Sequence, residues 1–472
     1  MNPLAVLMPG FVGPTLPGWL EARLRDGLGG VCLFGTNVES PEQLRALTDA
    51  IHAANPRAIV SIDEEGGDVS RLYQREGSPF PGNAILGRLD DAAATEAVAA
   101  RVGIELRQVG VDLTLAPDVD VNSNPLNPVI GVRSFGADPD LVSRHAAAWV
   151  RGVQSTGVSA CAKHFPGHGD TAQDSHLALP LVDAGLETMR ARELPPFGAA
   201  IAAGCATIMT SHIMVPALDA ELPSTFSRPI LEGLLRDAMG FTGVVVTDAL
   251  DMAGASAGRG IPAAAVLALA GGSDLLCLGT ANNDAQLEQI CAAVEAAVAD
   301  GTLAAERLAD AARRCGALGD HHARVRRDDA GAIPSIVDAT AVRSTFSVAD
   351  HARALLAQDR PRVWLRLEPA ANIAVGASPW GPFARGVEPA ATLGPDGDTA
   401  SFARAVPAGT LAIVVGKDNH RHPWALAALA AVRERGDAVA VDMGWPGGQA
   451  ADIATFGASR LAGAALLDLI GH

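Results

Sequence analysis

Eight short apolar runs recur along the first part of this chain, at residues 4–8, 30–34, 58–62, 112–116, 159–163, 206–210, 243–247 and 274–278, and each ends in a polar or glycine-rich turn. Between them lie stretches with helical periodicity, at 41–54, 92–109, 138–154, 186–203 and 227–239, followed by 262–270, 285–299 and 304–318. Strictly alternating strands and helices leave few architectures. A strand that crosses over through a helix to a parallel neighbour does so with one hand, and eight such units predict a (β/α)8 TIM-like barrel. The expected barrel spans residues 1–318.

From 319 to 347 the pattern breaks into charged and Ala/Pro/Ser-containing sequence, including His321-His322-Ala323-Arg324-Val325-Arg326-Arg327-Asp328-Asp329, which reads as a linker. A second α/β pattern occupies 348–472, with expected strands at 363–367, 411–415, 438–441 and 459–462 and helices at 425–434 and 449–455. It reads as a smaller α/β sandwich domain. Few carboxylates or histidines fall at its strand ends, so a supporting role is expected. Its one polar cluster, His420, Arg421 and His422, reads as a solvated loop.

Composition excludes several function classes. Lys+Arg of 36 against Asp+Glu of 53 gives a net charge of -17, which disfavours nucleic acid as a partner. No apolar run approaches the roughly 20 residues of a membrane span, and Met1 to Pro14 has no basic region ahead of its apolar residues, so a cytoplasmic protein is expected. Six cysteines without a CxxC pair, several inside apolar runs, read as small buried hydrophobes.

A barrel of this kind builds its site from loops at the carboxyl ends of its strands, so polar residues should follow the apolar runs. They do, at Asp63-Glu64-Glu65-Gly66-Gly67, Asp118-Val119-Asp120-Val121-Asn122, Lys163 to His176, Ser211-His212, Asp248-Ala249-Leu250-Asp251 and Thr280-Ala281-Asn282-Asn283. The densest stretch is Lys163 to His176, with three histidines, two aspartates and a lysine in a Gly/Pro-broken segment. Asp248 follows Val244-Val245-Val246-Thr247, a setting that partly desolvates a carboxylate, as a covalent nucleophile requires; the alternative is a helix cap. His176 has the chemistry to pass a proton to a leaving oxygen and take one from water, with Asp174 orienting it. A competing reading makes His164, His168, Asp170 and His176 zinc ligands, but Pro166 and Gly167 disfavour the helix that would align the first pair, so no metal and no other cofactor is expected.

The stretch Lys163-His164-Phe165-Pro166-Gly167-His168-Gly169-Asp170-Thr171, followed by Asp174-Ser175-His176, resembles the signature of the bacterial β-N-acetylhexosaminidase (β-N-acetylglucosaminidase) branch of glycoside hydrolase family 3. Ile62-Asp63-Glu64-Glu65-Gly66-Gly67, Leu115-Ala116-Pro117-Asp118-Val119-Asp120, Gly131-Val132-Arg133-Ser134-Phe135-Gly136 and Val246-Thr247-Asp248-Ala249-Leu250-Asp251-Met252 add to the likeness, which covers residues 1–318. The second domain is similar only in outline to the sandwich that many members append.

That resemblance implies a retaining exo-glycosidase removing terminal β-linked N-acetylglucosamine, with an amino-sugar glycoside as substrate. It implies Asp248 as nucleophile, His176 with Asp174 as acid/base, and Asp63, Arg71, Arg133, Lys163 and His164 as holders of the sugar hydroxyls. Two acidic residues depart from the pattern: Glu64 and Asp68 stand where relatives often carry Gln and Arg. Cell-wall recycling is the role that the resemblance implies, and the added negative charge weighs on it by disfavouring anionic aglycones such as muramyl groups. A neutral imidazole does not repel an anionic acceptor, so phosphorolysis of a β-N-acetylglucosaminide or β-glucoside, with inorganic phosphate as partner, stands beside hydrolysis. A metal-dependent hydrolase and a non-catalytic sugar-binding protein are the remaining readings.

Overall fold

A computed structural model of the chain describes residues 2–173, 179–326, 337–371, 373–447 and 450–471. It divides into two compact units. The first comprises Met1–Glu65, Ala92–Val121 and Ala137–Ile336, and the second Gly66–Asp91, Asn122–Gly136 and Val337–His472. Two segments inside the expected barrel region, 66–91 and 122–136, therefore fold with the C-terminal part of the chain.

Each of the eight apolar runs carries a strand in the first unit: β1 (Leu7–Met8), β2 (Gly30–Leu33), β3 (Ile59–Ile62), β4 (Leu113–Thr114), β5 (Cys161–Phe165), β6 (Thr207–Thr210), β7 (Val244–Val246) and β8 (Leu276–Cys277). All pairings are parallel, in the orders β2-β3-β4, β5-β6-β7 and β1-β8. Every strand residue is buried, as expected when helices cover parallel strands and their side chains face apolar surroundings on both sides. Backbone bonds link the groups. Thr114 N–H donates to Ser159 O, Thr247 N–H to Leu275 O, and Cys32 N–H to Pro9 O.

The helices follow from caps and spacing. Helix Pro41–Ala54 begins with Ser40, whose side chain accepts from Gln43 N–H, and buries Leu44, Leu47, Thr48 and Ile51, one face at intervals of three and four. Helix Pro139–Gln154 is capped by Asp138 and buries Trp149 and Val153. Helix Ala305–Val325 continues past residue 318 into the stretch read as a linker. Two contacts carry it on: Gly319 packs where a Cβ would lie 2.2 Å from Arg57 O, and buried His322 bonds Ser159 Oγ through Nε2 at 3.0 Å. Part of the expected linker, 327–336, lies outside the described residues, and Ala339–Ser344 is helical. All six cysteines are free thiols. Among the described residues no helix is long and apolar enough to cross a membrane.

The second unit is built on a six-stranded sheet of β9 (Ser347–Val348), β10 (Arg362–Leu367), β11 (Ala391–Leu393), β12 (Leu411–Gly416), β13 (Ala438–Asp442) and β14 (Ile453–Ala454). Its order is β11-β10-β12-β13-β14-β9, parallel except for β9. Apolar clusters cover both faces. One holds Leu365, Val414, Ala440, Phe402 and Leu429; the other holds Trp364, Ile413, Val441 and Leu466 together with Ala84 and Ile85.

Two expectations fail here. Residues 459–462 are not a strand: Ser459 Oγ accepts from Ala462 N–H at 3.1 Å and opens helix Arg460–Ile470. The cap outweighs the short apolar pattern. The strand of this region is β14, inside the 449–455 stretch read as a helix. Its edge partner β9 and strand β11 have too few apolar residues to stand out in the sequence. The His420-Arg421-His422 cluster is also less solvated than expected, because Arg421 donates to Asn127 O at 3.1 Å and ties down segment 122–136.

Candidate active site

At the carboxyl ends of the first unit's parallel strands, ionisable side chains converge on β5. This strand extends to Phe165, so Lys163 and His164 lie on the strand, not in the loop beyond it. Lys163 Nζ donates to Asp63 Oδ1 at 2.8 Å and to Glu65 Oε1 at 2.7 Å. Lys163 and Glu65 are each 3% exposed at the side chain, which makes this a desolvated contact between one cation and two carboxylates. Asp63 and Glu65 follow β3 two residues apart, on the same side of an extended chain.

His164 makes the second contact. Its Nδ1 is 2.7 Å from Asp120 Oδ2 and 4.0 Å from Asp118 Oδ2, and both carboxylates are fully buried. Asp120 also accepts the backbone N–H of His168 at 2.6 Å and, at 3.3 Å, that of His164. It therefore anchors the start of the following turn as well as the imidazole. His168 Nδ1 lies 2.8 Å from Thr171 Oγ1, and Asp170 accepts from Arg192 at 2.6 Å. The zinc set read from the sequence therefore does not converge among the described residues. Asp118, Asp120 and His164 do offer ligand atoms within 4.8 Å of one another. There Nδ1 is engaged with Asp120 and two backbone amides address the same carboxylate, the pattern of a carboxylate orienting an imidazole.

Asp248 follows β7, is partly exposed, and accepts from Ala249 N–H at 2.8 Å through Oδ1. The next peptide is held by His212, after β6. Its Nε2 donates to Ala249 O at 3.1 Å while Nδ1 lies 2.8 Å from Thr225 Oγ1. Asp251 accepts Thr280 N–H at 3.2 Å, joining the turns that follow β7 and β8.

Of the residues selected from the sequence, Asp63, Lys163 and His164 are linked in these contacts, and Asp248 stands at the same end of the strands. Arg71 and Arg133 belong to the second unit and are buried there. Arg71 donates to Ala374 O at 2.7 Å, and Arg133 donates to Val129 O at 3.3 Å while its own carbonyl accepts from Asn83 Nδ2 at 2.6 Å. Asp174 and His176 lie outside the described residues. Sequence reasoning placed Glu65, Asp118, Asp120 and His212 at strand ends but gave none of them a role.

Parallel strands whose carboxyl ends gather lysine, histidine and paired carboxylates, beside an aspartate at a strand end, form the kind of polar site that α/β enzymes build at that end of their strands. The family profile described as "Glycosyl hydrolase family 3 N terminal domain" matches residues 21–318. The chain belongs to glycosyl hydrolase family 3. It is 41% identical over 265 residues to the beta-hexosaminidase A of Pseudoalteromonas piscicida, a match covering 51% of this chain and 44% of that protein. A beta-hexosaminidase of Methylococcus capsulatus is 38% identical over 269 residues, covering 56% of this chain and 80% of the relative. Among solved structures, a glycoside hydrolase family 3 beta-N-acetylglucosaminidase from Paenibacillus sp. str. FPU-7 superposes with a TM-score of 0.86 at 29% identity, covering 99% of this chain and 96% of that one.

Proposed function

We propose that this protein is a retaining exo-β-N-acetylglucosaminidase, with its first unit closed as an eight-stranded parallel barrel. Closure is supported by the continuous run of neighbours: backbone bonds link β4 to the approach of β5 and β7 to the approach of β8, and β8 pairs with β1. The observation that carries the function is the gathering of Asp63, Glu65 and Lys163 with Asp118, Asp120 and His164 at the strand ends that precede Asp248. Together they offer charged donors and acceptors in a largely buried setting. A sugar ring suits such a set, because each hydroxyl both gives and accepts a hydrogen bond.

In this reading Lys163, Asp63 and His164 hold the ring hydroxyls. Asp248 attacks the anomeric carbon as the leaving oxygen takes a proton from His176, oriented by Asp174. The same imidazole then removes a proton from the water that releases the glycosyl group. Hydrolases of this kind normally use two carboxyl groups, and here an imidazole replaces one. The substrate class, a terminal β-linked N-acetylhexosamine, rests on the likeness to the named hexosaminidases.

Incubation with chromogenic β-N-acetylglucosaminide and β-glucoside, each with and without inorganic phosphate, tests the reading. The amino-sugar glycoside should be cleaved without phosphate. A requirement for phosphate, with sugar 1-phosphate as product, would replace hydrolysis by phosphorolysis. Asp248→Asn should lower turnover at least about a thousandfold while leaving the fold intact. Near-normal turnover in that variant sinks the nucleophile assignment.

A further inference from the structure

Beyond β5 the chain turns through Pro166 and Gly167 to Thr171, and this turn rests on a buried carboxylate to which the reaction assigns no part. Glu193 ends the π-helical turn Met189–Glu193, just before helix Leu194–Ala202, and its side chain is 0% exposed. A Cβ built on Gly167 would lie 2.7 Å from both Cβ and Oε2 of Glu193, so the backbone of the turn lies directly against this acid. Arg192 bridges it outward. Nε is 2.6 Å from Glu193 Oε1 and Nη2 is 2.6 Å from Asp170 Oδ2.

The arrangement is electrostatically demanding. Burial pushes the Glu193 carboxyl up to about 7, Arg192 opposes that rise, and Asp120 and Asp170 add to it. Two neighbouring acids thus act on Glu193, and Arg192 pairs with Glu193 and with Asp170. A well-packed apolar residue in place of Glu193 would avoid a desolvation penalty that a buried ion pair seldom recovers in stability. The same turn carries His168 and leaves directly from His164, and both backbone amides are held by Asp120.

We propose that Arg192 and Glu193 are positioning residues: their clamp on Asp170 and Gly167 fixes the turn from Phe165 to Thr171, and so sets His164 for glycoside cleavage. The proposal rests on the hydrolase reading above. An error of about 1 Å in such a group can slow a reaction roughly a hundredfold without weakening substrate binding equally.

Arg192→Ala should lower kcat for the chromogenic amino-sugar glycoside roughly 10- to 100-fold, with KM changed less than about threefold. Amide hydrogen exchange across residues 165–171, measured without substrate, should quicken. Arg192→Lys, which keeps the charge but not the two-pronged geometry, should recover part of kcat. Asp170→Asn leaves the Arg192–Glu193 contact in place and should move both readouts in the same direction. It covers the case in which Arg192→Ala does not fold. The double variant should be no worse than Arg192→Ala, because both remove one interaction. Unchanged exchange in the turn overturns the clamp. Faster exchange with unaltered kcat overturns its role in positioning. A wild-type protein inactive on every glycoside removes the hydrolase reading and this role with it, while the exchange result still decides whether the clamp exists.

Discussion

His322 should make the first unit lose stability in mild acid. It lies on helix Ala305–Val325, 1% exposed, with Nε2 3.0 Å from Ser159 Oγ and Nδ1 4.0 Å from Asp112 Oδ1. Burial pushes its imidazole down to about 4 from the ordinary 6.5, against the pull of Asp112. Above pH 6.5 the ring is neutral in folded and unfolded chains alike, and stability is complete. Between about 6.5 and about 4 the unfolded chain binds a proton that the folded one refuses, so stability falls with pH across that window. Each pKa unit corresponds to about 1.4 kcal/mol, and the shift therefore implies a loss of about 3 kcal/mol. Asp112 does not blur this window. Burial would raise its pKa, but bonds from His52 and Arg326 and the charge of His322 outweigh that effect and hold it well below the usual carboxylate range. Its contribution is lost only in stronger acid. His322→Gln keeps a partner for Ser159 and removes the titration. Native-state amide exchange in β4 and β5 from about pH 7 to about pH 4 should show wild type losing about 3 kcal/mol more than the variant. Parallel pH dependences in the two proteins would falsify the argument.

Two further substitutions probe the site and the second unit. Lys163→Met keeps the length of the side chain but leaves buried Glu65 and Asp63 without this ammonium; it should destabilise the first unit by about 3 kcal/mol and lower kcat/KM at least about a hundredfold, measured by urea unfolding and chromogenic turnover. In the second unit Asp442 accepts the N–H groups of Asp418, Asn419 and Gly444, yet burial, followed by the charge of Asp418, pushes it up to about 7. Ionising it therefore works against folding as pH rises from about 4 toward that value. Asp418→Asn removes the repulsion, keeps an acceptor for Trp445 N–H and tolerates the left-handed φ of 51°. A gain of about 1 kcal/mol at pH 8 that vanishes near pH 4 is expected from thermal unfolding; an equal gain at both pH values would point to backbone conformation instead.

The strands were legible because parallel strands buried on both faces must be apolar along their length, and runs such as Val244–Val246 have little other use. Asp63, Lys163, His164 and Asp248 were legible as candidates because charged residues at the ends of such runs stand out, while the roles of the first three came from the family resemblance alone. Glu65 and Asp120 carry a quieter signal. Each stands two residues beyond another carboxylate in extended chain, which turns the pair to one side, but only the register of neighbouring strands brings Lys163 and His164 opposite them. His212 acts on a main-chain carbonyl, a partner that side-chain chemistry cannot reveal. Segments 66–91 and 122–136 have the composition of ordinary loops, and what assigns them to the second unit is tertiary packing, such as Gly87 seated where a Cβ would meet Phe135 O at 1.8 Å.

The placement of those segments bears on how the protein can be dissected. A truncation near residue 318 would strand Ala84, Ile85 and Val132 away from the apolar cluster that holds them, and the C-terminal part made alone would lack the same side chains. The two units are thus separate bodies of structure but not separable genes: portions of the second core are synthesised long before the rest and must wait for it. Co-expressed fragments divided within 327–336 should recover the fold only by associating, and neither piece by itself is a candidate for independent study.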